Sequence, residues 1–392
     1  MMIFTLAWRN VWRNPQRSFG LIISLLIGLL GLWILIGLVQ GLNEQRLAER
    51  LDTSLAHLRI TNPQFDKQKN NHDFLIFTPT LGTQLSKQNN LAQYTYRLST
   101  WASVFKLKKT LRIELYGVNP STESKVLQIP KYLIQGRYLE TNTNKNEAVI
   151  GIELARHLHK KINDTLDIQL DNGKIISTTL VGIYEVSNKR FASTHIFIGY
   201  NTLLKSLNLP ENSFHQLLIR LHDWQKSEKT KTSLSPLLPK AKVLSWVNIS
   251  PDLAFLHLIS TYFVWIFASL IALLLLFLQN ILLQIIWQER LLEWERLRIL
   301  GLLRVQIAKI CLLEVAFWLF LALFFAIILG LGVSIYLSNY GINLGYFTNN
   351  ISEIAFAKIL YPKWFWYDAI ILVSLFVGLP IASTFFKTLF LS

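Results

Sequence analysis

The sequence predicts a membrane α-helical protein: four transmembrane helices with a large extracytoplasmic α+β domain inserted between helices 1 and 2. Three observations predict it. Four runs, at about 18–41, 255–286, 307–338 and 364–386, are apolar over the roughly 20 residues that a helix needs to cross a bilayer core. The stretch 42–252 between the first two runs is polar and mixed, with strand-like alternation and turn signals. Composition agrees: of 392 residues 52% are hydrophobic, and a mean hydropathy of +0.34 is too high for a soluble globule. Lipid offers the backbone no hydrogen bonds, so the four runs must be helices.

Residues 1–17 form a cytoplasmic amphipathic helix in this reading. Ile3, Phe4, Ala7 and Val11 alternate with Arg9, Arg13 and Arg17, while Trp8 and Trp12 suit the headgroup layer. Pro15 ends that helix, and the first span runs from Ser18 to Gly41. This apolar run is too long for a signal-peptide core, and Gly41-Leu42-Asn43-Glu44 is no cleavage site, so it reads as a retained anchor. The three arginines place the N-terminus in the cytoplasm. The domain 42–252 and the loop 339–363 then lie outside, and the connector 287–304 and the tail 387–392 inside. Both termini are then expected in the cytoplasm.

Asn43–Leu58 reads as a helical stalk continuing the first span, and His57–Thr61 as a strand stopped by Asn62-Pro63. Residues 64–90 read as loop. Segments near 94–107 and 110–118 alternate like strands. Strands at 147–150, 165–170, 175–183, 195–198 and 214–221 frame helices at 151–159 and 201–207, with an Asx-Gly hairpin turn at Asp171–Lys174. A last helix at 226–238 and the segment Trp246–Asp252 lead back to the membrane.

The connector Trp287–Arg304 lies between the second and third spans. It carries Arg290, Arg296, Arg298 and Arg304 among Glu289, Glu293 and Glu295. The i,i+3 acid–base spacing suits a helix, and Gly301 supplies its stop. Its apolar residues Leu291, Leu292, Trp294, Leu297 and Ile299 point several ways around the wheel. The pattern fits a short helix on the membrane surface that grips a soluble partner.

Several function classes are excluded or disfavoured. The net charge is +15, and 42–252 carries 28 Lys and Arg against 18 Asp and Glu, but the lysines are scattered without a basic stripe of interleaved aromatics. The pattern indicates a solvated surface and no nucleic-acid partner. No phosphate-binding loop of the G-x-x-x-x-G-K-[ST] type is present, so ATP hydrolysis, if it drives the chain, belongs to another subunit. His157, His159, His195, His215 and His222 lack ligand spacing with Cys or paired carboxylates, so no metal site is expected. No nucleophile elbow or HExxH occurs, so the chain is not expected to be an enzyme by itself. The single cysteine, Cys311, lies in the third span and forms no intrachain disulfide. Glu314 and Asp368, near span ends, read as snorkelling or interhelix bonding groups, and Gln279, Asn280 and Gln284 in the second span as groups bonded to another helix ahead of substrate contacts. Gly28, Gly31 and Gly37 read as close-packing positions in the first.

Three separated stretches resemble the four-span permeases of the lipoprotein-releasing (LolC/LolE-like), MacB and FtsX superfamily of ABC transporters. They are LAWRNVWRNPQRS at Leu6–Ser18, NEAVIGIELARHLHKKINDTLDIQLDNGKIISTTLVGIY at Asn146–Tyr184, and ERLLEWERLRILGLLRVQIAKICLLE at Glu289–Glu314. Departures are the Arg298-Ile299-Leu300-Gly301 sequence, Arg304 where the family has a second glycine, and a short tail. The resemblance implies a permease, a cytoplasmic ABC ATPase dimer holding ATP and Mg, and a second copy or related permease. It implies a lipidated or hydrophobic substrate, lipoprotein first, with an extracytoplasmic carrier as a further partner. ATPase coupling would fall on Arg290, Glu293, Arg296, Leu297, Arg298, Leu300, Gly301 and Arg304. Substrate contact would fall on Trp33, Tyr262, Phe263, Trp265 and Phe267. An FtsX-like non-transporting transducer, a MacB-like exporter of small molecules or peptides, and an anchored receptor without an ATPase remain alternatives at this stage.

Overall fold

The computed structural model describes residues 2–13, 15–68, 71–106, 109–141, 146–344 and 359–390. In chain order the elements are helix α1 (Met2–Arg13), α2 (Pro15–Arg50), a π turn (Leu51–Leu55), strand β1 (Leu58–Thr61), α3 (Pro63–Gln68), β2 (Leu75–Ile76) and α4 (Pro79–Ser86). There follow β3 (Leu91–Lys106), β4 (Lys109–Val118), α5 (Pro120–Val126), β5 (Leu133–Gly136), β6 (Glu147–Gly151), α6 (Ile152–Leu158), β7 (Thr165–Leu170), β8 (Ile175–Tyr184) and α7 (Lys189–Thr194). Next come β9 (His195–Gly199), α8 (Tyr200–Leu207), β10 (Ser213–Phe214), β11 (Gln216–Leu221), α9 (Ser227–Leu234), β12 (Lys242–Ser245) and α10 (Trp246–Ile249). Helices α11 (Pro251–Ile299) and α12 (Arg304–Tyr340), the short strands β13 (Ile342–Asn343) and β14 (Ile359–Leu360), and α13 (Trp366–Phe390) complete the chain.

The chain forms two compact units: a helical unit, Met1–Gln45 with the described residues from Leu258 onward, and a mixed unit, Arg46–His257. Among the described residues, four helices are long and apolar enough to cross a membrane: Ser18–Leu55, Pro251–Ile299, Val305–Tyr340 and Trp366–Phe385.

Within the helical unit, α2, α11, α12 and α13 share one apolar core that includes Leu25, Leu32, Val264, Leu283, Trp318, Leu319 and Phe376. Polar groups cross-tie it. Ser24 Oγ donates to Gln279 Oε1 at 3.0 Å and Ser383 Oγ to Asn280 Oδ1 at 3.1 Å, so two of the three second-span amides bond between helices as expected. Gln284 is exposed. Asp368 accepts from Gln40 Nε2 at 3.2 Å and from the Phe365 amide at 2.8 Å, which sets a buried carboxylate at the start of α13, where the helix dipole favours it. A Cβ on Gly37 would fall 2.1 Å from the Trp364 ring, so only glycine admits the segment before α13 against α2; Gly28 abuts Leu275, whereas Gly31 faces open space.

In the mixed unit the pairings β3–β4, β4–β9, β9–β6, β6–β8, β8–β7 and β7–β3 close a ring of six strands. Alternation places Ile113 and Leu115 of β4 inside with Leu98, Ile150, Ile168 and Ile196, and α6 and α8 add Leu154 and Leu203. The other face carries Tyr116, Tyr184 and Phe197, covered by Phe191, Val126 and Ile129. There Arg97, 1% exposed, lies 3.6 Å from the Glu123 carboxylate, donates from Nε to Gln216 at 2.9 Å, and sits 3.9 Å over the Tyr116 ring. From β3 the sheet extends through β11 and β1 to β12 over a further core of Leu58, Leu85, Leu217 and Leu234.

The structure departs from the sequence reading in three places. Residues 64–90 hold α3, β2 and α4: Pro63 and Pro79 open helices, and Thr78 caps the second by accepting from the Leu81 amide at 3.3 Å. Helix α13 continues to Phe390, through most of the expected tail 387–392. The separate connector helix at 287–304 is absent, because α11 runs unbroken to Ile299. Of the expected loop 339–363, residues 345–358 lie outside the described residues.

Two buried histidines complete the sheet. His57 Nδ1 accepts from the Leu221 amide at 2.9 Å; His215 Nδ1 accepts from the Ser99 amide at 3.1 Å and its Nε2 donates to the Asn71 carbonyl at 3.0 Å. Burial, aided at His57 by the nearby Arg220 charge, holds both down to about 4. The folded pKa lies below the unfolded value, so their contribution is complete above about pH 6.5 and is lost as pH falls toward 4, at about 1.4 kcal/mol per unit for each ring. Unfolding of the mixed unit, followed by denaturant titration at pH 7 and pH 5, should therefore lose up to about 2 kcal/mol per histidine over that interval, and His215→Asn should remove about half of the loss.

Candidate coupling site

Helix α11 has 49 residues, roughly 73 Å at 1.5 Å each, against a hydrocarbon core of about 30 Å. More than half of it must extend beyond the core. No Gly or Pro occurs between Leu283 and Ile299, so the change from apolar to charged residues near Trp287 does not end the helix. The stop comes at Gly301, with φ +93°: its amide bonds the Arg298 carbonyl at 2.9 Å, and the Leu302 amide bonds the Leu297 carbonyl at 3.1 Å, a Schellman closure. After Leu303, α12 begins at Arg304. Gln306 Oε1 accepts from the Leu303 amide at 2.9 Å and closes the new helix's first turn.

A buried charge pair braces this elbow. Arg290 on α11 donates to Glu314 on α12, with side chains 7% and 4% exposed. The other Glu314 oxygen accepts from Asn10 Nδ2 of α1 at 2.6 Å. Helix α1 is held further by Ala7 and Val11, both buried, by the rings of Phe4 and Trp8 set edge-on 5.2 Å from Phe317, and by an Arg13–Glu293 ion pair. Ser18 Oγ donates to the Val11 carbonyl at 2.7 Å and accepts from Trp318 Nε1 at 3.1 Å, locking the corner between α1 and α2 onto α12.

Beyond this brace the elbow tip is bare. Ile299 is 85% exposed, Leu300 76% and Leu303 66%, with Arg296 and Arg298 exposed beside them.

The MacB-like periplasmic core domain profile matches residues 18–237, which span α2 and most of the mixed unit. The chain belongs to that family. With its four membrane-length helices it is a multi-pass membrane protein of the MacB/FtsX permease type. It is similar to the periplasmic region of MacB from Actinobacillus actinomycetemcomitans: 14% identity, 54% of this chain and 98% of that one covered, TM-score 0.37. It is similar also to the extracellular domain of the ABC-type transporter YknZ from Gram-positive bacteria: 13% identity, 48% and 99% covered, TM-score 0.34. No curated protein matches the sequence.

In this MacB-like chain the expected coupling residues fall into two groups. Arg290 and Glu293 point into the brace. Arg296, Arg298, Leu300 and Gly301 lie at the exposed tip, with Leu297 half-buried. Arg304 opens α12, and its side chain lies outside the described residues. The five expected substrate contacts do not gather. Trp33 donates to Ser334 Oγ at 2.9 Å and stacks on Trp364 at 5.9 Å, and Trp265 packs on the helical core, whereas Tyr262, Phe263 and Phe267 are exposed along α11. Trp33 is half-buried in this setting. Sequence reasoning missed Asn10, Arg13 and Glu314 as partners of the elbow. The available signal was an acid placed near the start of the third span, one that needed a cation from another helix.

The two ion pairs should differ sharply in worth. Glu314→Leu strands a buried arginine and should cost about 3–5 kcal/mol, whereas Arg290→Met with Glu314→Leu should recover most of that loss. Arg13→Ala breaks an exposed pair and should cost less than about 1 kcal/mol. Thermal unfolding of the detergent-solubilised chain, run for all three variants, measures the contrast.

Proposed function

We propose that this chain is the permease subunit of an ATP-driven ABC transporter that extracts or exports a lipidated or hydrophobic substrate, lipoprotein first, with ATP and Mg bound on a separate ATPase. The observation that supports the reading is the elbow tip. Ile299, Leu300 and Leu303 project from a helix end that a buried ion pair prevents from giving way. Exposed apolar side chains beside arginines fit a groove on a soluble partner: docking removes apolar surface from water, and the charges fix orientation.

In this reading Arg9, Arg13, Arg17 and the elbow arginines lie in the cytoplasm and the mixed unit outside, in a bacterial inner membrane. An ATPase dimer closes on ATP and moves the elbow. Helix α11, without a break from Ile299 back to Pro251, carries the displacement outward as a stiff rod. A second copy or related permease completes the substrate path, since one four-helix chain encloses little, and the external units pass cargo to a carrier. Tyr262, Phe263 and Phe267 are the remaining candidates for contact with acyl chains, being exposed on α11.

Arg296→Glu with Arg298→Glu tests the assignment. Membrane insertion should be unchanged, while co-purification of the ATPase and release of acylated cargo both fall at least tenfold, the scale of about 1.4 kcal/mol. Normal capture and release by that variant would remove the elbow from the coupling path.

A further inference from the structure

Helix α2 passes into the mixed unit through an irregular joint. Regular α geometry ends at Arg50, and Leu51–Leu55 form a π turn that closes with the Ala56 amide on the Leu51 carbonyl at 3.0 Å. Side chains add to the turn: Thr53 Oγ1 donates to the Glu49 carbonyl at 2.7 Å and Ser54 Oγ to the Arg50 carbonyl at 3.1 Å. Ala56 then adopts φ +55°, ψ −177°, a region that almost only glycine occupies, because Cβ crowds the backbone there. It is 1% exposed. At the next residue, the His57 amide and carbonyl bond the Ile219 carbonyl and the Trp246 amide, each at 3.1 Å, and β1 enters the sheet between β11 and β12.

Strain of this kind persists only where neighbours enforce it. Two latches do so. Asp52 accepts from Arg220 at 2.7 Å, and its carbonyl accepts from the Gln128 amide at 2.7 Å. The Glu49 carboxylate takes both the amide and the hydroxyl of Ser187. Leu47 and Leu51 pack on Trp246 with Leu253 and Ala254, so the first turn of α11 is tied to the same place.

The geometry points to Leu51–Ala56 as a two-state joint: a strained π form, held by the Asp52–Arg220 and Glu49–Ser187 latches, exchanges with a relaxed form in which the turn rewinds to α and Ala56 leaves the left-handed region. Because β1 is fixed in the sheet, a one-residue slip of the joint is taken up by the stalk, as about 1.5 Å of travel and about 100° of rotation. The joint thereby converts movement of α2 into a discrete change at the base of the mixed unit. Its place in a force path rests on the permease reading; its two-state character does not.

Native-state amide exchange of the full-length chain in nanodiscs, read on peptides covering 49–57, tests the joint with no ATPase present. Ala56→Gly removes the strain and should stabilise the π form, slowing exchange of that segment about tenfold. A glycine acting only through added backbone freedom would speed exchange instead. Arg220→Gln opens a latch and should speed exchange at 51–56 at least threefold, with β3 and β4 unchanged. Unaltered or faster exchange in Ala56→Gly overturns the proposal, as does an Arg220→Gln effect spread equally over the β3–β4 hairpin. Normal capture and release in elbow variants, with the joint's exchange pattern intact, would leave the joint standing and count only against the permease reading.

Discussion

A charge buried between helices constrains the helical unit more than any apolar contact in it. Arg290 and Glu314 lie on opposite sides of a four-residue turn, Leu300–Leu303, nearly out of contact with solvent, and neither is tolerable there without the other. Holding them together fixes the relation of α11 to α12 at their shared end. The second Glu314 oxygen recruits Asn10, so α1 adds its own weight to the same point. Apolar packing alone would leave the helices free to slide among similar arrangements, whereas a buried pair with a third hydrogen bond permits one register. The exposed tip beyond the pair is therefore carried on a fixed base.

The mixed unit solves a different problem. Its chain enters by one helix and leaves by another, and both connections meet at Leu47, Leu51 and Trp246. The closed ring of strands and its extension through β11, β1 and β12 give that meeting point a stiff support, because β1, which follows the entering helix, is an interior strand. Irregularity is concentrated in the six residues Leu51–Ala56, which lie between helix and strand. A stiff helix joined to a stiff sheet through a short strained segment confines deformation to that segment.

Much of this is legible in the sequence, for identifiable reasons. The membrane helices announce themselves through long apolar runs, and the strands from Glu147 to Leu221 through alternation and an Asx-Gly turn. The departures share a cause. Composition near Trp287 changes from apolar to charged, which reports a change of solvent and not a helix boundary; the first residue able to stop the helix is Gly301. Residues 64–90 are polar enough to pass for loop, yet Pro63 and the Thr78–Pro79 cap are helix starts in plain view. Partners far apart in sequence are the least visible. Asn10 and Glu314 are 304 residues apart, and nothing local to either indicates the other. Trp33 resembles free aromatic surface in the sequence because its partners, Ser334 and Trp364, come from the far end of the chain.

The central claim is that the elbow tip meets a nucleotide-hydrolysing subunit. It is tested most directly by placing a photo-crosslinking residue at Leu300 in intact membranes, with the same probe at the exposed Ile175 of the mixed unit as a control. The account predicts that position 300 yields an adduct containing an ATP-hydrolysing protein and that position 175 does not. An adduct of that kind from position 175, or labelling of position 300 by reagents confined to the outside of the cell, would contradict it.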